Sequence, residues 1–274
     1  MNETLRLIHN RKSTRSYRDE MISAENREHI LQAAMRAPTA GNQMLYSIVQ
    51  VSDQRIKEKL AETCDHQPFI ARAPLVLLFL ADYQRLFDLY VASGAPALAK
   101  ARGLAWRKPG VGDLFIALCD ALIAAHSSVL AAESLGIASC YIGDIIENYE
   151  IHRKLFSLPD FVFPITLVCY GYPAGDYHSK QPTPRLDPEY VCFENSYRRF
   201  DKEELLKMMK PLEERYFKDK SFTQGAADMG QHLFLKKFSS DFALEMNRSV
   251  QAALRCWTAD ESGPPFAGSP EGDG

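Results

Sequence analysis

Two short stretches hold the residues best suited to chemistry. Arg11-Lys12-Ser13-Thr14-Arg15-Ser16 directly follows a helical pattern. In an extended backbone Arg11, Ser13 and Arg15 project to one side, because side-chain direction alternates. Two guanidinium forks around a hydroxyl can grip phosphate oxygens bidentately, which an ammonium cannot. The same residues could instead form a solvated basic turn capping the carboxyl end of the helix. Ala37-Pro38-Thr39-Ala40-Gly41-Asn42-Gln43 combines small residues with two amides. Small residues let a flat ring approach the backbone, and the amides offer donors and acceptors to the edge of an isoalloxazine or a nucleobase. Taken alone, the stretch also reads as an ordinary turn.

Other polar groups carry weaker readings. Cys64 and His66 lack the spacing of a paired metal or nucleophile site, so Cys64-Asp65-His66 reads as an exposed helix end. His126 lies inside an apolar helix, as a core or interface histidine would. Tyr83, Phe87, Tyr90 and Trp106 could stack on a ligand from a lid, or simply anchor that lid. The six cysteines are scattered, with no CxxC pair and no Cys/His grouping at zinc spacing. They read as small reduced core residues of a cytoplasmic protein, and no metal site is expected.

The elements that position these residues follow from periodicity. Helices are expected over Asn2 to Asn10, with Asn2 as N-cap, and over Ser23 to Arg36, with Ser23 as N-cap. Leu45 to Ser52 reads as a strand, Gln54 to Thr63 as a helix, and Pro74 to Asp82 as a strand buried on both faces. Asp82 to Gly110 reads as an inserted lid, and Asp113 to Leu135 as a central helix apolar nearly all round, stopped by Gly136. Strands at Ile137 to Ile142 and Pro164 to Tyr172 flank a helix at Glu150 to Phe156, and Tyr190 to Phe193 has the character of a last short strand. Asp201 to Tyr216 and Gln231 to Trp257 read as helices, and 258–274 as a disordered tail. No GxGxxG follows a strand, and neither a P-loop nor a GxSxG elbow is present, so a dinucleotide-binding doubly wound sheet is disfavoured.

The bulk properties exclude several classes of function. The chain has 274 residues, 46% hydrophobic, with a net charge of -3. Such a chain buries a sizeable core and has no global attraction to nucleic acid or anionic membrane. Its first residues lack the apolar run of a signal peptide, and Ala73 to Ala81 is far shorter than the ~20 residues that span a bilayer.

In order, the RxSxR cluster, the Ala-Pro-Thr-x-x-Asn loop, Ile137-Ala138-Ser139-Cys140-Tyr141-Ile142-Gly143-Asp144 after the Ala-rich helix, and Pro184-Arg185-Leu186 resemble the nitroreductase family of flavoproteins. The resemblance spans roughly Leu5 to Phe200, and departs from the family where Gln43-Met44-Leu45-Tyr46 follows Asn42 and where Thr183 precedes Pro184. It implies an α+β sandwich: a mixed, mainly antiparallel sheet flanked by helices, in a homodimer with a shared cofactor site. It also implies FMN as cofactor, with Arg11, Lys12, Ser13 and Arg15 at its phosphate and ribityl chain. Pro38, Thr39 and Asn42 would reach it from the second subunit, Tyr141, Ile142, Gly143 and Asp144 would pack beside the ring near its redox-active nitrogen, and Arg185 would close on the phosphate. NADH or NADPH would supply hydride for a nitroaromatic, a quinone or a related acceptor, with no catalytic side chain required. Reductive dehalogenation, ene reduction, flavin fragmentation, or flavin binding without turnover are the competing outcomes. The division expected is an FMN-binding domain over 1–200, a helical extension over 201–257 and the tail.

Overall fold

The computed structural model describes residues 1–175, 177, 179, 181–218 and 220–258. In chain order the elements are α1 (Glu3–Asn10), α2 (Ala24–Met35), β1 (Tyr46–Gln50), α3 (Gln54–Thr63), α4 (Phe69–Arg72), β2 (Leu75–Asp82), α5 (Gln84–Ala92) and α6 (Ala95–Ala101). They continue with α7 (Val111–Ser134), β3 (Ala138–Ile142), α8 (Tyr149–Leu155), β4 (Val162–Gly171), α9 (Lys202–Phe217), α10 (Met229–Leu233) and α11 (Asp241–Thr258). The strands form one antiparallel sheet in the order β1-β2-β4-β3. An isolated parallel bridge from Ser13 to Ser139 sets the clamp segment beside β3, outside the named strands, so the expected mixed sheet is antiparallel among its strands.

The apolar run of β2 is buried on both faces. Val76, Leu78 and Leu80 join a cluster with Leu60 and Ile70, whereas Leu75, Leu77 and Phe79 face Ile30, Ala124 and Val129. Period-two alternation thus feeds two cores from one strand. Burying each large aliphatic side chain contributes about 1.5–3 kcal/mol.

Helix α7 is held against the sheet and α2 by a stripe of small residues, Ala117, Ala121, Ala124, Ala125 and Ala132. Ser128 Oγ and the buried Tyr170 hydroxyl lie 2.7 Å apart and tie it to β4. At 24 residues α7 has the length and hydropathy of a membrane span, but this stripe makes it a core helix. Its other face is bare: Phe115, Ile116, Cys119, Leu122, Ile123 and His126 are all exposed. These positions recur at helical spacing and form one stripe. His126 is therefore not a core histidine.

The N-caps form as the sequence requires, with Asn2 Oδ1 accepting from Leu5 N at 3.0 Å and Ser23 Oγ from Asn26 N at 3.1 Å. Three expectations are corrected. Tyr190 to Phe193 is no strand: Pro188 opens a 3-10 turn, Cys192 N donates back to Pro188 O at 2.8 Å, and the aromatics cluster with Tyr197 and Phe200. Gln231 to Trp257 is not one helix. Its path passes through a π-turn at Phe234–Phe238, and the Ser239 and Ser240 hydroxyls donate to the carbonyls of Phe234 and Lys237, competing with the helical ladder. Cys119 and Cys192 are exposed and Cys256 is half-buried, so only Cys64, Cys140 and Cys169 are core residues.

The segment between β2 and α7 is more ordered than a loop, carrying α5 and α6. Trp106 stacks on Phe87 at 5.6 Å, and Phe87 meets Phe161 edge-on at 5.4 Å. Those contacts anchor the segment to the body. Of the C-terminal elements, α11 buries Ala253 and Trp257 against Phe161 and Phe163. Beyond Thr258 the expected tail lies outside the described residues.

Gly171 closes β4 where the clamp segment crosses it. A Cβ there would lie 2.6 Å from Tyr17 Cγ and 2.9 Å from Pro74 Cδ. Gly171→Ala should displace the Tyr17 ring at a cost of about 1–3 kcal/mol. Thermal denaturation should show a melting temperature lower by several degrees; an unchanged midpoint would mean the contact yields freely.

Candidate active site

The clamp segment leaves α1 at Arg11 and runs extended along β3, with Thr14 N donating to Ser139 O at 2.9 Å. Thr14 is buried while Ser13 and Arg15 are exposed, as alternation requires. Tyr17 pins the segment from beneath, its hydroxyl reaching Thr14 O at 2.7 Å and Cys169 O at 3.1 Å. Lys12 turns away from Ser13, donating to Tyr177 O at 2.6 Å and lying 4.4 Å from the centre of the Tyr177 ring.

The two guanidinium groups are uncommitted. Arg11 Nη1 is shielded from solvent with no hydrogen-bond partner, and neither Arg11 nor Arg15 forms a salt bridge among the described residues. Arg15 lies over the Phe69 ring at 6.0 Å. Ser139 Oγ, buried next to the clamp, is also unpartnered. A shielded, unsatisfied cation is costly unless an anion completes it.

Tyr141, Ile142, Gly143 and Asp144 leave the end of β3 on the same edge of the sheet. Burial raises the Tyr141 hydroxyl to about 12, opposed by the Arg11 charge. The structure adds a residue that the sequence did not single out. Gln67, just before α4, donates through Nε2 to Asp144 Oδ2 at 2.9 Å and to Cys64 O at 3.0 Å. The left-handed residues Asp65 and His66, at φ 56° and 48°, turn the chain to bring it there. Those two residues are exposed, as expected of a helix end. Gln67 could be found only by its tertiary contact, since no local pattern marks it.

The Pro38 loop lies elsewhere. It leads into β1, the opposite edge of the sheet, three strand spacings or roughly 14 Å away. The buried Asp120 carboxylate on α7 fixes it, accepting from Ala40 N at 2.9 Å and Leu45 N at 3.1 Å. Thr39 Oγ1 accepts from Met44 N at 3.3 Å, and Gly41, Asn42 and Met44 all adopt positive φ. Pro38 and Asn42 are left exposed. No hydrogen bond joins this loop to the clamp among the described residues. Arg185 donates to Thr183 O and Pro184 O of its own segment.

The sequence model of the nitroreductase family matches residues 8–172. The chain belongs to the nitroreductase family. This nitroreductase-family chain is 32% identical over 201 residues to the FMN reductase (NAD(P)H) of Bacillus subtilis, covering 72% of this chain and 75% of that protein. It is 31% identical over 216 residues to the oxygen-insensitive NADPH nitroreductase of Salmonella typhimurium, covering 79% and 83%. Nitroreductase A from Vibrio parahaemolyticus superposes with a TM-score of 0.74 at 25% identity, over 92% of this chain and 98% of that one. The α+β architecture is thus that of the family.

Proposed function

We propose that the chain is an FMN-dependent oxidoreductase that takes hydride from NADH or NADPH and passes it, in a ping-pong cycle, to a nitroaromatic, a quinone or a related acceptor. The observation that carries this reading is the pair of uncommitted guanidinium groups, with Arg11 Nη1 shielded and unpartnered at the edge of β3. That donor set suits a phosphate monoester, and the names of the relatives, an FMN reductase and an NADPH nitroreductase, agree with it. Arg11, Ser13 and Arg15 would hold the FMN phosphate and ribityl chain, with Lys12 beside them. Tyr141 to Asp144 would line the ring. Arg185 would close on the phosphate only after releasing the carbonyls of its own segment.

FMN held by these residues would supply the redox chemistry. The protein's part is binding, orientation and charge. Arg11 and Arg15 place positive charge at the clamp, and the backbone N–H groups of the turn after Ile142 offer donors without reorganisation. No acid–base dyad is needed.

The reading includes a homodimer. Pro38, Thr39 and Asn42 sit at the far edge of the sheet from the clamp. They would reach a flavin only from another copy, and the bare stripe of α7 offers the surface for that copy. The six unpaired cysteines fit a cytoplasmic location.

Anaerobic stopped-flow mixing of the flavin-loaded protein with NADH and with NADPH tests the activity. Bleaching of the flavin band with at least one donor, and recovery on adding a quinone or nitroaromatic, is expected. Persistent yellow colour with both donors would leave a flavin-binding protein without turnover.

A further inference from the structure

Beyond the clamp the chain forms a second basic recess that the function above leaves unused. Five segments converge on it: Arg18 to Ile22, α2, the end of β1, the first turn of α3, and the junction of α4 with β2. Together they enclose a cavity of about 360 Å³, within the range of small-molecule sites. No residue from Arg11 to Arg15 and none from Tyr141 to Asp144 lines it.

The charge of this recess is unbalanced. Arg18 is committed, paired with Glu20 at 3.2 Å and lying over the Tyr172 ring at 5.1 Å. Arg27, Lys57 and Arg72 also line the cavity, and none of the three forms a salt bridge among the described residues. Asp19 is the one further acid on the wall, so two positive charges stand in excess. Lys57 is half-buried, and of its three donors one is engaged among the described residues, by Ala73 O at 2.7 Å. Burial holds its ammonium below the usual lysine range, as it does for a cation without a counter-ion. The rest of the wall differs in character. Buried Ile22, Val51 and Leu75 give it an apolar side.

We propose that this recess binds a phosphate monoester with a small apolar body, the phosphate held by Arg27, Lys57 and Arg72 and the body resting against Ile22, Val51 and Leu75. A phosphate monoester carries about two negative charges near neutrality, which matches the local excess. Guanidinium forks suit its oxygens, and the ammonium adds a point charge from the half-buried wall. A monocarboxylate would leave one charge uncompensated. Inorganic phosphate would leave the apolar side unfilled. The site stands apart from the flavin reading, because no clamp residue takes part in it.

Phenyl phosphate and inorganic phosphate are the probes, titrated by calorimetry. One titration uses FMN-loaded protein, in which flavin fills the clamp. A parallel one uses the Arg11→Ala, Arg15→Ala variant, in which the clamp cannot compete. Both proteins should bind phenyl phosphate, and more tightly than inorganic phosphate. Arg27→Ala with Arg72→Ala should weaken that binding by at least about tenfold in either background. Fold and flavin content should not change, since neither side chain pairs with a carboxylate among the described residues.

Asp19→Asn supplies a change of the opposite sign, which a damaged fold cannot imitate. Removing the one unpaired acid on the wall should tighten phenyl phosphate binding, by up to about fivefold for an exposed charge. Equal affinity for the two probes would overturn the proposal, as would binding that survives loss of Arg27 and Arg72. Binding lost in the clamp variant alone would place the probe in the flavin site and overturn it too. If the chain binds no flavin, the functional reading fails by itself, and the clamp variant still decides whether the recess takes a phosphate.

Discussion

Protein carrying Arg11→Ala together with Arg15→Ala should purify colourless, with FMN affinity weakened by about 10²–10⁴-fold. The estimate follows from two charge-assisted contacts of about 1.5–3 kcal/mol each, summed and converted at about 1.4 kcal/mol per decade. The fold should survive, because among the described residues neither side chain forms a salt bridge and Arg11 Nη1 has no hydrogen-bond partner. Removing a shielded, unsatisfied guanidinium should even relieve the apoprotein slightly. The pattern expected is thus loss of binding with unchanged or higher apoprotein stability, read by flavin absorbance, fluorescence titration and thermal melting. A yellow double variant with undiminished flavin stoichiometry would place the phosphate elsewhere.

The second large effect concerns the bare side of α7. Ile116 and Ile123 are 46% and 41% exposed and lie seven residues apart on one stripe with Phe115, Cys119 and Leu122. Ile116→Glu with Ile123→Glu retains good helix formers, and both positions face away from the alanine stripe that packs on the sheet. In a dimer closed through this face, four carboxylates would be buried without partners, each at a cost of several kcal/mol. Sedimentation equilibrium should show a folded monomer with unchanged far-UV dichroism, and the flavin should be lost with the dimer. A dimer that persists, or a monomer that keeps its flavin, would contradict the shared site.

Much of the framework was legible because it depends on short-range rules. The all-apolar run of β2 announces burial on two faces, and β2 does feed two clusters. The Ala-rich α7, too apolar for one neighbour, packs on the sheet and α2 while leaving a stripe uncovered. Asn2 and Ser23 cap as their types demand. Legibility ended where long-range contacts decide. The strand-like Tyr190 to Phe193 lost to a proline turn and to aromatic partners several residues away, and Ser239 with Ser240 broke a helix whose periodicity was continuous.

The site shows the same boundary. The alternation of Ser13, Thr14 and Arg15 can be read from the backbone period. That Ser13 would pair with Ser139, or that Gln67 would reach Asp144, depends on sequence separations too large for any local pattern. The recess beyond the clamp was equally silent in one dimension, since Arg27, Lys57 and Arg72 each resemble any surface cation. Only the fold that gathers them around one cavity makes them unusual.

The placement of the clamp outside β3 and of the Asp120-held loop before β1 has a genetic consequence. If two copies exchange these edges, each copy contributes a different half to each of two sites. A chain defective in the clamp and a chain defective in the loop, assembled together, would concentrate both lesions in one site and leave the other whole. Two inactive alleles would then complement one another, to no more than half the normal number of working sites.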